Sequence, residues 1–201
     1  MPEIVHTLPV LLIWAALGYL LGSIPFGMVV TRVMGLGNLR EIGSGNIGTT
    51  NVLRTGSKSA AALTLVLDGG KGALAVVLGR LLAGEDVAQI AGLMAFIGHC
   101  YPVWLRFKGG KGVATFLGLL LALAWPVGIA CCLTWLATAV ASRTSSLSAL
   151  IAAASSTFWM LVFGSGSTFA LGIATTLLVF WRHKDNIRRL RAGTEPKIGQ
   201  K

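Results

Sequence analysis

The run V-A-T-F-L-G-L-L-L-A-L-A-W-P-V-G-I-A-C-C-L-T-W-L-A-T-A-V-A, residues 113–141, decides how this chain is threaded. It carries no charge and is broken by Trp125-Pro126. As one membrane span it would leave the lysine-bearing loop before it and the basic C-terminal tail on opposite sides. That runs against the tendency of Lys and Arg to gather on the cytoplasmic side. Splitting the run at Pro126 gives seven crossings and collects four basic segments on one side: 31–58, 105–112, 142–146 and 182–201. The other side keeps Glu3, Glu85, Asp86 and an uncharged G-S-G-S loop, with Arg80 the only basic residue near it. The reading adopted is an all-α polytopic membrane protein in a single domain, 1–201, with the N-terminus outside and the C-terminus cytoplasmic. Residues 113–124 make only roughly 18 Å of helix against a hydrocarbon core of about 30 Å. The helix is therefore expected to begin near Gly109 or earlier, or the piece to be re-entrant.

Composition supports a membrane chain. Of 201 residues, 54% are hydrophobic and 12% charged, and the mean hydropathy is +0.75, too apolar for an ordinary soluble domain. The net charge of +10 raises nucleic acid as a partner. However, the basic residues sit in short loops between apolar runs, and no basic domain is left to hold a duplex. Membrane orientation and anionic ligands explain the charge better. Cys100, Cys131 and Cys132 lie in or beside apolar runs without metal or disulfide spacing, so no metal is expected. Residues 1–7 hold Glu3 and His6 but no Lys or Arg, so the first apolar run reads as a retained span, not a signal peptide.

The expected spans are 8–30, 60–84, 87–104, 113–124, 126–141, 147–163 and 168–181. The first is interrupted by Gly22, Ser23, Pro25 and Gly27, which points to a kink. The second contains Asp68-Gly69-Gly70-Lys71. Charges at depth are costly and face protein or water. At a spacing of three the two can meet on one helix face, and a structural ion pair at a helix break is the favoured reading.

Three polar clusters fall on the basic side. The first is G-S-G-N-I-G-T-T-N, residues 43–51, followed by Arg54. It fits G-x-G-x-x-G, but a membrane span precedes it where a dinucleotide fingerprint needs a strand. Glycine-supported N–H groups around Gly45 can still face an anion. Ser44, Asn46, Thr50 and Asn51 offer neutral hydrogen bonds and Arg54 a fork suited to phosphate. The second is H-C-Y-P-V, residues 99–103, with F-K-G-G-K-G-V-A-T, residues 107–115. Gly109, Gly110 and Gly112 permit a tight bend and close approach to backbone N–H groups, a following helix would aim its positive end at the loop, and Lys111 adds a mobile charge. It is not a Walker loop, since Leu105 stands where the first glycine belongs. The third is R-H-K-D-N-I-R-R-L, residues 182–190. On a helix His183, Asn186, Ile187 and Leu190 share one face, expected to turn inward.

Together these motifs resemble the bacterial membrane glycerol-3-phosphate acyltransferases that use acyl phosphate. The residues that carry the resemblance are G-S-G-N-I-G-T-T-N-V-L-R, H-C-Y-P-V with F-K-G-G-K-G-V-A-T, and R-H-K-D-N-I-R-R-L-R-A-G-T-E, with L-D-G-G-K-G at 67–72 also similar. Thr49 departs from the usual Ala of that family. The resemblance implies that Ser44, Arg54, Lys111, the glycines of the second cluster, His183 and Asn186 line a doubly anionic site. It also implies that Ser146 is a further phosphate ligand. Lys111, Ser44, His183 and Asn186 would be catalytic, and Gly45, Asn46, Thr50, Asn51, Arg54, Gly109, Gly110, Gly112 and Ser146 would bind phosphates.

The implied reaction moves a fatty acyl group to the 1-hydroxyl of glycerol-3-phosphate, giving lysophosphatidic acid and phosphate at the cytoplasmic face of the bacterial inner membrane. No cofactor and no obligate protein partner are implied. An acyl phosphate is an activated mixed anhydride, so positioning and charge neutralisation can do most of the work. That suits a chain with no evident Ser-His-Asp set and no H-x-x-x-x-D motif: five residues after His6, His99 and His183 stand Leu11, Trp104 and Arg188. A transporter of an organic phosphate is the rival class. The Asp68–Lys71 pair and the glycine-broken spans would suit it. The confinement of every polar cluster to one side speaks against it.

Overall fold

The computed structural model describes residues 2–199. The described residues contain helices and no strand. In order these are α1 (Leu8–Gly22), α2 (Phe26–Val33), α3 (Thr49–Leu53), α4 (Lys58–Ala83), α5 (Glu85–Cys100), α6 (Val113–Leu123), α7 (Trp125–Ser142), α8 (Ser145–Val162), α9 (Phe169–Arg182) and α10 (Lys184–Arg191). Five stretches are long and apolar enough to cross a membrane: Leu8–Val33, Lys58–Ala83, Glu85–Leu105, Trp125–Ser142 and Ser145–Val162. Helices α6 and α9 are shorter, with 11 and 14 residues. Each of the seven expected apolar pieces is present, and the run 113–141 breaks at Ala124, one residue before Trp125-Pro126.

Small residues set the helix spacing. Gly18 and Gly22 of α1 lie on Ala91 and Ala95 of α5 so closely that a Cβ on either glycine would strike a carbonyl oxygen. Gly72 of α4 meets Thr115, and Gly118 of α6 meets Gly69, in the same way. Apolar side chains gain little by leaving lipid, so close backbone approach of this kind is what holds membrane helices together. It also corrects one expectation. The D-G-G-K run is not at a helix break, since α4 continues through it; Gly69 and Gly72 provide packing surface for α6.

The break lies instead in the first span, between α1 and α2 at Ser23–Pro25. Proline has no N–H to continue the ladder, and unpaired carbonyls at this depth are costly. Trp104 Nε1 donates to Ser23 O at 2.6 Å and Lys71 Nζ donates to Ile24 O at 2.7 Å. Lys71 also stands 2.8 Å from Asp68 Oδ1, with both side chains almost fully buried.

Contacts sort the helix ends onto two faces. On one, Arg40 bonds the carbonyl of Lys108, Thr50 Oγ1 meets Ser145 Oγ at 3.0 Å, and Arg182 reaches the loop at 109–110. On the other, the N–H groups of Val5 and His6 and the His6 ring bond Asp86, Arg80 pairs with Glu85 at 2.8 Å, and Ser167 lies beside the same groups. This is the grouping that the charge parity requires.

The short α6 starts at Val113, not near Gly109. Its first turn is tied to the middle of α4: Thr115 Oγ1 donates to Asp68 O at 2.9 Å. Asp68 lies ten residues into α4, about 15 Å from its start. The loop before α6 therefore dips well below the basic face, and α6 has only the remaining depth to cross. Its other end is capped by Arg80, whose guanidinium donates to Ala122 O at 2.5 Å and Leu123 O at 3.1 Å.

Candidate active site

The first cluster is a knot tied by Asn51. The buried amide of Asn51 donates to Leu39 O, Ile42 O and Asn46 O at 3.0, 2.9 and 2.8 Å. Its Oδ1 accepts from Ser44 N at 3.1 Å and Arg54 Nη1 at 3.3 Å. The donors of Asn51, expected to meet phosphate, are thus committed to the loop's own carbonyls. Asn46 Oδ1 accepts from Ile47 N at 2.9 Å. Gly43 has φ +53° and lies under the Arg54 side chain, where a Cβ would collide with Arg54 and Asn51. The knot so presents Arg54, with the side chains of Ser44 and Thr50 exposed beside it. Arg40 fastens the cluster to the second one, through Gly45 O at 3.2 Å and Lys108 O.

The second cluster is a clamped loop. Gly109 N donates to Cys100 O at 3.1 Å and Gly110 N to His99 O at 3.0 Å. From the other side Arg182 donates to Gly110 O and Gly109 O, both at 3.0 Å, and its guanidinium lies 4.9 Å from the Tyr101 ring centre. Free N–H groups at Gly109 and Gly110, expected for an anion cradle, are therefore absent: the glycines are needed because His99 and Pro102 leave no room for a Cβ. Gly112 takes φ +79° against the Phe96 ring, a left-handed conformation that favours glycine. Lys111 is held between them with no hydrogen bond or ion pair among the described residues. Burial pushes its pKa down to about 8; Glu195 opposes this, and the charges of Arg189, Arg182 and Arg54 add to it.

The third cluster behaves as its pattern predicts. His183 and Asn186 are buried, while Lys184, Asp185 and Arg188 are exposed. His183 Nδ1 lies 2.7 Å from Val179 O. A carbonyl only accepts, so Nδ1 carries the proton and Nε2 keeps its lone pair. Burial pushes the imidazole down to about 4, and the Lys111 charge adds to that. Asn186 Nδ2 donates to Glu195 Oε1 at 2.5 Å, Ser146 Oγ to the same oxygen at 2.7 Å, and Arg189 Nε to Oε2 at 2.7 Å.

Electrostatic reach joins the clusters. Lys111 senses Glu195, Arg189, Arg182 and Arg54, and His183 senses Lys111. Thr50 and Arg54 share a cleft with Ser145 and the tail residues Pro196 and Ile198. Two members were missed from the sequence. Glu195 stands in the quoted A-G-T-E run as one acid in a basic tail, the signal of an internal anion that collects donors. Arg182 heads the third cluster as one base among several, with no pattern that singles it out.

The sequence profile described as glycerol-3-phosphate acyltransferase matches residues 12–193. A glycerol-3-phosphate acyltransferase of Ruegeria pomeroyi is 69% identical over 95% of this chain and 94% of its own length. One from a second Ruegeria species is 70% identical over the whole of both. A crystal structure of PlsY (YgiH), an integral membrane glycerol 3-phosphate acyltransferase, in its glycerol 3-phosphate form, matches with TM-score 0.88 and 37% identity over 94% of this chain and 96% of that chain. The lysophosphatidic acid form of PlsY matches with TM-score 0.86 and 35% identity over the same shares. Broken first span, clamped glycine loop and buried His183–Asn186 turn thus stand in a chain that belongs to the PlsY family of integral membrane glycerol-3-phosphate acyltransferases.

Proposed function

We propose that this acyltransferase takes its acyl group from acyl phosphate and transfers it to the 1-hydroxyl of sn-glycerol-3-phosphate, releasing lysophosphatidic acid and inorganic phosphate. The observation that carries the reading is the recessed meeting of Lys111, Arg54, His183, Asn186 and Ser146 beside apolar helices. Two phosphate-bearing substrates need such a concentration of positive charge, and an acyl chain needs the apolar flank.

The hydroxyl oxygen attacks the acyl carbonyl carbon, and the bond from that carbon to the phosphate oxygen breaks. Phosphate is already a good leaving group, so neutralising its charge by Lys111 and Arg54 is the main protein contribution. Ser44, Asn46 and Thr50 would complete the phosphate contacts on the first loop, whereas Gly45, expected to offer its N–H, spends it on Ile42 O and so shapes the loop. Asn186 has a second amide hydrogen to give phosphate on the third cluster, while the single O–H of Ser146 would have to turn from Glu195 to do so. Asn51, Gly109, Gly110 and Gly112 act by shaping their loops. His183 Nε2 accepts a hydrogen bond and so orients the attacking hydroxyl. With a pKa near 4 it is a weak proton acceptor, and the proton passes to a substrate phosphate oxygen or to water. No cofactor or protein partner takes part. The site faces the cytoplasm of a bacterial inner membrane, where both substrates would be met.

The test compares acyl phosphate with acyl-CoA under identical conditions, followed by intact-protein mass measurement after mixing with acyl phosphate alone. Turnover with acyl phosphate, little with acyl-CoA and an unchanged protein mass are expected. Comparable rates with acyl-CoA refute the donor, and a mass increase of one acyl group, lost on adding glycerol-3-phosphate, refutes direct transfer.

A further inference from the structure

Behind the glycine loop lies a buried set of ionisable groups that the reaction does not touch. His99 ends α5, and its Nδ1 stands 3.5 Å from Asp68 Oδ1, close but without a hydrogen bond; the same oxygen faces Lys71. The opposite edge of the ring faces the loop so closely that a Cβ on Gly110 would collide with Nε2. The backbone carbonyl of the same residue accepts from Gly110 N. His99 thus meets Gly110 twice, once with its ring and once with its main chain.

Asp68 also ties down the chain four residues beyond Lys111. Its carbonyl accepts from Thr115 Oγ1 at 2.9 Å, in the first turn of α6. Lys111 therefore sits between Gly110, backed by His99, and Thr115, tied to Asp68. The anchor of the whole set is Lys71, fixed on Ile24 O in the broken first span. The side chains of Asp68, Lys71 and His99 are at most 4% exposed, and their contacts run to one another, to Ile24 O and to the loop backbone at Gly110.

We infer that His99, held by the Asp68–Lys71 pair, is a positioning residue that sets the path of the glycine loop and thereby aims Lys111 at phosphate. The inference rests on the reading of Lys111 as the charge that meets phosphate. It gives the intramembrane ion pair a task beyond capping the broken helix, because one rigid chain of contacts then runs from Ile24 through Lys71, Asp68 and His99 to Gly110. A buried pair is weak evidence for stability in itself, and fixing one geometry is its better-attested use.

Two double-mutant cycles test it, assayed with whichever donor supports wild-type turnover. The first pairs His99→Asn and Asp68→Asn with Lys111→Ala. His99→Asn keeps a polar nitrogen toward Asp68 while withdrawing the ring from Gly110. Each substitution alone should lower kcat/KM for glycerol-3-phosphate about tenfold or more. In the Lys111→Ala background each should cost under about twofold, since the group being aimed is gone. A merely structural role would lower the melting temperature and give costs that multiply, and that outcome overturns the inference.

The second cycle pairs Gly110→Ala with His99→Asn. Alone, Gly110→Ala should be strongly impaired. With the imidazole withdrawn its methyl group has room, and the added cost should shrink severalfold; equal cost in both backgrounds also overturns the inference. This cycle still decides if Asp68→Asn does not fold. A normal rate in Lys111→Ala alone strikes the reading of Lys111 and leaves the His99–Gly110 contact to be judged by the second cycle.

Discussion

Ser146 Oγ donates to Glu195 Oε1 at 2.7 Å, so a hydroxyl expected to meet phosphate already holds an anion of the protein's own. The same oxygen takes the amide of Asn186, and the other takes Arg189. One carboxylate thus ties the start of α8 to both ends of the α10 turn and lies in the field of Lys111.

Glu195 should therefore support both fold and rate. Glu195→Ala leaves Ser146, Asn186 and Arg189 without their acceptor, and a cost of about 1–3 kcal/mol is expected for hydrogen bonds to a charged group. Glu195→Gln keeps one oxygen for Ser146 and Asn186 and should fall between. Burial works against the charge, but the bonds from Ser146, Asn186 and Arg189 outweigh it and hold the carboxyl below its usual range. A depressed carboxyl stabilises the fold above the unfolded value of about 4.3, and that contribution is lost as pH falls through the folded value. Thermal melts from pH 7 to pH 3 should show an acid loss that is smaller in Glu195→Gln.

The charges made the threading legible, because lipid leaves Lys and Arg few places to go. The break at Trp125-Pro126 and the inward turn of His183 and Asn186 follow from proline chemistry and helical period, and both are seen. What the pattern hid was how donors are spent. The N–H groups of Gly109 and Gly110 bond Cys100 and His99, a tertiary fact invisible in F-K-G-G-K-G. Gly69 and Gly72 look like helix breakers, yet they serve the crossing with α6. The shortness of α6 raised a conflict that only the depth of Asp68 and Thr115 resolves.

Thr49 is a local misfit of the first cluster. Its Oγ1 is buried without a hydrogen-bond partner, and an unmade bond of that kind costs about 1–3 kcal/mol. Thr49→Ala removes the hydroxyl at the start of α3 without touching Asn51 or Arg54. It should raise stability by up to about 1 kcal/mol, after the loss of one methyl contact, and leave kcat/KM within twofold, about the scatter of such comparisons. Lower stability with lost activity would mean that the hydroxyl does have a partner in the working enzyme.

The positive-inside tendency, applied to the two faces described above, predicts that the basic face lies in the cytoplasm. Single cysteines at positions 57, 145 and 198 in a cysteine-free background should label from the cytoplasm. Those at 85 and 166 should label from outside. Labelling of position 198 by an external impermeant reagent would invert the assignment and put the substrates on the wrong side.

Lys111 offers the sharpest pH test. Its pKa near 8 means that it is charged at neutral pH and loses its proton a little above. The profile of kcat/KM reports the free enzyme, so kcat/KM for glycerol-3-phosphate should fall with an apparent pKa of about 8. His183, pushed down to about 4, stays neutral across this range and adds no limb there. Lys111→Ala should lower kcat/KM about 10²-fold or more, the scale for losing one electrostatic donor to a developing charge, and should flatten the alkaline limb. Lys111→Arg keeps its charge past pH 10. Its activity should be reduced by the larger guanidinium, while the limb near 8 disappears. A limb at the same pH in Lys111→Arg would assign the titration to another group, and near-normal kcat/KM in Lys111→Ala would remove Lys111 from the chemistry altogether.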